Sequence, residues 1–259
     1  MGSAEVWALD LDGVMWLGET PIPGAAEATA RLSAAGHTVV FCTNNSSQRV
    51  SFYQEKLARF GVATDVATNV ISSAQAAGSL LSPGERVLLC AGDGAREAAE
   101  LAGAEIVAHE RFADAATVLV GFHSTFDYAA MSAAVRAVLG GARLVATNDD
   151  PIYPAADGPT PGCGSILASI ERGAATRAVI AGKPHPPMAA LIRERFGTSG
   201  VFVGDSLNTD GAMATTLGWP FGLVLTGNIG AADVPPDQPA EWVAADLASL
   251  VDARLAADA

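Results

Sequence analysis

The sequence predicts an α/β protein: a doubly wound, Rossmann-like parallel sheet with a second α/β domain inserted into it. Two observations carry this. Short apolar or β-branched runs that stop abruptly at small polar residues alternate with amphipathic stretches closed by glycine, which is the pattern of successive strand–loop–helix units. The texture then changes over residues 66–176 and returns afterwards, so residues 1–65 and 177–259 are expected to build one sheet domain around an insertion at 66–176. With 259 residues, half of them apolar, the chain has enough material for a full core.

The first run, Val6-Trp-Ala-Leu9, ends at Asp10-Leu-Asp12-Gly13. Residues alternate across a strand, so Asp10 and Asp12 are expected on one side with Leu11 opposed. Two converging carboxylates call for a cation between them or a shared proton. An Asp-x-Asp-Gly by itself is equally an Asx-type turn, and the later motifs decide between the two. Trp16 to Gly24 is punctuated by Gly and Pro and reads as a loop over the strand end. Gly24 to Ala35 reads as a helix closed by Gly36, His37 to Thr43 as a second strand, and Gln48 to Phe60 as a helix closed by Gly61.

In the insertion, Val70–Leu81, Ala95–Ala102 and Tyr128–Leu139 read as helices, and Arg86–Cys90, Thr117–Gly121 and Arg143–Thr147 as strands. Asp150 to Gly162 is rich in Pro and Gly and is expected to be a binding loop or lid. A helix over Ser165–Arg172 follows. Ala178–Ala181 then reads as a strand leading into Gly182-Lys-Pro-His-Pro-Pro187, Met188–Phe196 as a helix, and Val201–Val203 as a strand ending at Gly204-Asp-Ser-Leu-Asn-Thr-Asp210. Gly222 to Thr226 and a helix over Asp246–Leu255 complete the chain.

A formal charge of −13 argues against a nucleic-acid or anionic-membrane surface. Any anionic substrate must meet local positive groups. Cys42, Cys90 and Cys163 are scattered, without the spacing of a zinc site or a disulfide framework. No run of about 18 apolar residues is present to span a bilayer, and a cytoplasmic location is the expectation.

Four sites fall where loops leave predicted strands: Asp10 with Asp12, Thr43 with Asn44, Lys183, and Asp205 with Asp210. If those strands are parallel neighbours, all four face one crevice. The set combines carboxylates, a hydroxyl beside free amides, and a fixed cation. Such a set suits magnesium together with a phosphoryl group, because the metal and the lysine offset charge on the phosphoryl oxygens.

Taken together, these segments resemble the haloacid dehalogenase (HAD) superfamily of phosphatases, and within it the NagD-like class with a large inserted cap of C2 (class IIA) type. The resemblance rests on Asp10-Leu-Asp-Gly-Val14, Phe41-Cys-Thr-Asn-Asn-Ser46, Gly182-Lys-Pro184 and Val203-Gly-Asp-Ser-Leu-Asn-Thr-Asp210, with Ala146-Thr-Asn-Asp149 and Pro161-Gly-Cys-Gly164 in the insertion. It implies that Asp10 is a nucleophile forming an aspartyl-phosphate and that Asp12 is general acid and then base. It also implies that Thr43, Asn44 and Asn45 hold the phosphoryl group and that Lys183 screens it. Magnesium would be held by Asp10, Asp205 and the carbonyl of Asp12, with Asp210 ordering the loop behind.

The family often carries Val-Gly-x-Asp before a Tyr-x-Lys helix. This chain has Val120-Gly-Phe-His123 and Tyr128-Ala-Ala130 instead, which leaves the substrate open. Asn148, Asp149 and the 151–162 loop are the candidates for contact with the leaving group. The expected activity is hydrolysis of small phosphate monoesters such as sugar, glycerol or nucleotide monophosphates, with p-nitrophenyl phosphate as a test ester. Transfer to another alcohol, or sensing of a phosphorylated metabolite without turnover, are the alternatives. The expected partners are a small-molecule phosphate ester, with neither nucleic acid nor membrane, and the reading leaves room for a homodimer paired through the cap.

Overall fold

A computed structural model describes residues 4–155, 158–227, 230, 234–235 and 237–257. Two compact units are formed. Residues 1–43, 51–71 and 189–259 make the first, and residues 44–50 and 72–188 the second.

The first unit is built on a six-stranded sheet. Its strand order is Trp242–Ala244, Phe221–Val224, Gly200–Gly204, Val6–Leu9, Thr38–Thr43, Val70–Ser72. Every pairing from Trp242–Ala244 to Thr38–Thr43 is parallel, with Leu9 level with both Val203 and Phe41. Strands buried on both faces read as continuous apolar runs. Trp7, Ala8, Leu9, Phe41 and Phe202 are accordingly at most 1% exposed, and each large side chain among them contributes about 1.5–3 kcal/mol by leaving water.

From Val6–Leu9 the chain builds outward one way through Thr38–Thr43. After the insertion it builds the other way through Gly200–Gly204 and Phe221–Val224. The order therefore reverses between Val6–Leu9 and Gly200–Gly204. In open α/β sheets that reversal, at the carboxyl ends of the strands, is where ligands bind. Asp10 and Asp205 are the residues that follow these two strands, and the Asp10 amide donates to the Val203 carbonyl at 2.9 Å.

The second unit carries a five-stranded sheet, ordered Val179–Ile180, Arg143–Ala146, Thr117–Val120, Arg86–Cys90, Glu105–Val107, with all pairings parallel. Helices Tyr128–Leu139 and Cys163–Ala174 cover one face and bury Leu88, Val118, Val120, Leu167 and Ile170.

Several elements differ from their sequence-based reading. Residues Val70–Leu81 are not one helix: Val70–Ser72 is an edge strand, and a helix over Ser73–Gly78 starts from a capping box on Ser72 and Gln75. Ser72-Ser-Ala-Gln75 is the sequence signature of that box, and it marks the boundary that apolar content alone blurs. The 150–162 stretch is not an open loop, because Ile152–Ala155 and Gly158–Pro161 pair as an antiparallel hairpin. Ala156 and Asp157 of that stretch lie outside the described residues. Trp16–Leu17 and Thr20–Pro21 likewise pair inside the expected loop. Val179–Ile180, expected in the first sheet, hydrogen-bonds to Val145 and Ala146 in the second.

Glu85 ties together the starts of two inner strands of the second sheet, Thr117–Val120 and Arg143–Ala146. Its Oε1 accepts from Thr117 Oγ1 at 2.5 Å and from Arg143 Nη2 at 2.7 Å, and its Oε2 accepts from the Ser82 amide at 2.9 Å. Burial pushes this carboxyl up, but the bonds from Thr117, Arg143 and Ser82 outweigh it and hold the pKa below the ordinary value. A depressed folded-state pKa gives stability that is present above the unfolded pKa and is lost as pH falls through the folded one. Glu85→Gln should therefore lower stability by about 1–2 kcal/mol at neutral pH, since Arg143 is half exposed and the pair is partly screened. Thermal unfolding from neutral pH down through the carboxylate range should show the gap between variant and parent closing. A gap that widens on acidification would contradict the assignment.

Candidate active site

The first unit brings three carboxylates together at the reversal of strand order. Asp10, Asp205 and Asp210 each place one oxygen within 4.8 Å of the others, and all three are buried, at 9%, 2% and 0% exposure. Two unit charges at that spacing repel by roughly 3–4 kcal/mol at an effective dielectric of about 20. Three anions held this way out of water favour a divalent cation, whose hard charge takes oxygen ligands. The donor set is thus fitted to magnesium. Asp210, expected behind the metal, has its carboxylate within this group.

Local backbone explains how the three meet. Asp205 lies against two glycines, and a Cβ at Gly13 or Gly227 would collide with its carboxylate. Gly13 also has φ +83°, which disfavours side chains. Thr226 Oγ1 donates to the Gly13 carbonyl at 2.5 Å and ties these loops to each other. Asp210 sits in a π-helical turn, Leu207–Gly211. Its amide donates to the Ser206 carbonyl at 3.0 Å, and its Oδ2 accepts from the Ser206 amide at 3.1 Å. A Cβ at Gly204 would occupy the space of the Asp210 carboxyl.

Asp12 Oδ1 accepts from Trp16 Nε1 at 3.0 Å. Thr43, 2% exposed, ends the strand next to Val6–Leu9, so Asp10, Thr43 and Asp205 all lie at one edge of one sheet.

The second unit organises the remaining candidates around Asn44. The Asn44 side chain pairs with the Lys183 backbone in both directions: Oδ1 accepts from the Lys183 amide at 2.7 Å, and Nδ2 donates to the Lys183 carbonyl at 3.0 Å. Nδ2 also donates to Asp150 Oδ2 at 3.0 Å. The Asn44 carbonyl accepts from Ser73 Oγ at 2.5 Å and from Asn148 Nδ2 at 2.7 Å. Lys183 itself is 2% exposed, and a Cβ at Gly182 would strike Asn44 Oδ1 and the Thr147 carbonyl.

Asn45 bonds both within its own loop and to the distant Tyr153. Its Oδ1 accepts from the Ser47 amide and hydroxyl at 3.1 and 2.7 Å, and its Nδ2 donates to Tyr153 Oη at 3.3 Å. Asp149 is exposed, with Oδ1 3.4 Å from His185 Nε2. Sequence reasoning missed Ser73, Asp150 and Trp16 as partners of site residues. Ser73 and Asp150 are common side chains of helix starts and turns, Trp16 lies in a two-residue strand, and only the fold reveals their partners.

Other reactive groups are silent. Burial pushes the Cys90 thiol up to about 12 and that of Cys163 up to about 11. Both stay protonated at neutral pH, so neither is a thiolate nucleophile. His123 is pushed below its usual value, first by burial and then by the charge of His109, with Asp127 opposing. Among the described residues no helix is long and apolar enough to cross a membrane.

Residues 7–105 match the family model described as haloacid dehalogenase-like hydrolase, and residues 180–250 match a second model of HAD-hydrolase-like proteins. Chronophin of Homo sapiens is 34% identical over 246 residues, covering 88% of this chain and 83% of the relative. The structure of a p-nitrophenyl phosphatase from Archaeoglobus fulgidus superposes with a TM-score of 0.87 at 29% identity, covering 97% of this chain and all of that one. A glycerol phosphate phosphatase from Mycobacterium tuberculosis in complex with magnesium superposes at 0.85 with 29% identity, covering 95% of this chain and 77% of that one. With the acidic trio at the sheet's switch point and relatives aligned over most of both chains, the protein belongs to the haloacid dehalogenase-like hydrolase family.

Proposed function

We propose that this hydrolase is a magnesium-dependent phosphomonoester phosphatase acting on small phosphorylated metabolites, of the sugar, glycerol or nucleotide monophosphate class, through an aspartyl-phosphate. The observation that carries it is the convergence of Asp10, Asp205 and Asp210 at the edge of the first sheet. Support also comes from relatives named as phosphatases of glycerol phosphate and of p-nitrophenyl phosphate.

In this reading the Asp10 carboxylate attacks phosphorus and forms an acyl-phosphate bond while the bond to the ester oxygen breaks. Asp12 gives its proton to that oxygen, which leaves as a neutral alcohol. Asp12 then takes a proton from water as the water oxygen bonds to phosphorus, and Asp10 departs as a free carboxylate with inorganic phosphate released. Asp10, Asp205 and the Asp12 carbonyl would hold magnesium, with Asp210 ordering the turn beside them. When bound, the ion offsets charge on the phosphoryl oxygens. Thr43, Asn44 and Asn45 hold the phosphoryl group, and Lys183 supplies a fixed positive charge. Asn148 and Asp149 serve the leaving group.

The same reading treats residues 1–65 and 177–259 as the catalytic core and 66–176 as a C2-type cap. It takes the enzyme as cytoplasmic, acting on a small ester rather than nucleic acid or membrane, with a homodimer through the cap as the assembly to look for.

Asp10→Asn should lower phosphate release from p-nitrophenyl phosphate by about a thousandfold or more, with the circular dichroism spectrum of the folded protein unchanged. Substantial residual turnover would rule out the covalent scheme. Asp205→Ala should shift the magnesium titration to much higher concentration or abolish activity outright, and an unaltered titration would remove Asp205 from the ligand set. Release of free phosphate with water as sole acceptor separates hydrolysis from transfer to another alcohol.

A further inference from the structure

The short hairpin after Asp12 contains an arrangement that the scheme above does not use. The Gly13 amide donates to the Trp16 carbonyl at 2.8 Å, so the chain doubles back at once. That return sets the Trp16 indole beside the Asp12 side chain, with Nε1 donating to Oδ1 at 3.0 Å. Trp16 is 2% exposed, although its neighbour Leu17 is 55% exposed.

The indole is gripped from two sides. Phe60 meets it edge-on, with centroids 5.9 Å apart at 67°, and Lys56 Nζ lies 4.5 Å from the ring centroid. Lys56 is only 7% exposed, and its ammonium also donates to the Gly18 carbonyl at 2.7 Å and to Glu19 at 3.1 Å. One buried cation thus holds both the ring and the turn that follows it. A cation over the ring face draws electron density from the indole and makes its N–H a stronger donor.

We infer that Trp16 is a positioning residue for the phosphatase reaction: it holds Asp12 by Oδ1 and so presents Oδ2 to the departing ester oxygen. The inference rests on the reading of Asp12 as the general acid. An indole N–H donates and cannot accept. A carboxylic acid accepts best through its carbonyl oxygen, so the indole makes Oδ1 the carbonyl and leaves the hydroxyl on Oδ2. In the step concerned, the O–H bond at Oδ2 breaks and its proton passes to the ester oxygen as that oxygen takes the electron pair of the broken P–O bond. A carboxyl turning freely about its side-chain bonds would spend part of its time misaligned, and misalignment of this kind lowers rate rather than affinity.

The test uses two esters of nearly one shape, p-nitrophenyl phosphate and phenyl phosphate, assayed at saturating magnesium. Phenolate is the poorer leaving group and needs the proton more. Trp16→Phe, and a second variant with β-(3-benzothienyl)alanine at position 16, in which sulfur replaces the N–H while the ring keeps its form, remove the donor. The value of kcat/KM for phenyl phosphate should fall by about tenfold or more and that for p-nitrophenyl phosphate by less than about threefold. Equal losses on both esters in the benzothienyl variant, or no loss, would overturn the inference, since a purely structural role does not distinguish leaving groups. Asp12→Asn, run beside them, should show the same skew more strongly. If Asp12→Asn shows no skew, the general-acid reading fails and this inference with it. If Asp12→Asn is skewed and both position-16 variants are not, only the positioning role fails.

Discussion

Three buried carboxylates within 4.8 Å of one another are the constraint to which the first unit is shaped. Their mutual repulsion opposes folding, so each is held by backbone that cannot relax away. The parallel register of Val6–Leu9 with Gly200–Gly204 puts Asp10 and Asp205 at the same sheet edge. The glycines at 13, 204 and 227 supply the space, because a side chain at any of them would displace a carboxylate. The arrangement illustrates a general tension: a functional site holds like charges together, and packing elsewhere offsets the strain. Here the offset comes from buried strands such as Trp7–Leu9 and Phe202, whose apolar surface is almost wholly removed from water.

The second unit solves a different problem, that of fixing a lysine on a loop. Backbone in a loop has no ladder to bind it, so its polar groups need side-chain partners. Asn44 provides them by bonding both the amide and the carbonyl of Lys183, while Ser73 and Asn148 hold the Asn44 carbonyl in turn. The Asn44 side chain, on a residue that the family resemblance assigns to the phosphoryl group, has a structural use that only the coordinates disclose. Asn148 is similar, since its amide nitrogen braces Asn44.

What was legible in the sequence follows from the range of the interactions involved. Parallel strands ending at Asp10, Thr43 and Asp205 show as apolar runs cut off by polar residues, because burial on both faces leaves a local mark. The edge strand at Val70–Ser72 and the hairpin at Ile152–Pro161 leave weaker ones. In the first, apolar residues run straight into an alanine-rich helix. In the second, prolines occupy positions that a two-stranded edge tolerates and a central strand does not. The assignment of Val179–Ile180 to the second sheet depends on pairing with Val145 and Ala146, more than thirty residues earlier, and no local pattern encodes it.

The distribution of positive charge ties these points to one another. Among its 15 basic residues the chain has only two lysines, Lys56 and Lys183, and it buries both. The surface is left to arginine, as at Arg59, Arg111 and Arg177, all more than half exposed. A compact ammonium can enter a confined place and lie over a ring or beside an anion, whereas a planar guanidinium needs a wider slot and a flat partner. A buried lysine also loses hydration and side-chain entropy, and it persists only where a specific partner repays that loss. Lys56 has such partners in Gly18, Glu19 and the Trp16 ring. In a chain of net charge −13, solubility does not require a cation there. What the ammonium accomplishes is mechanical: it fixes the indole whose N–H holds Asp12, two residues from the acidic trio.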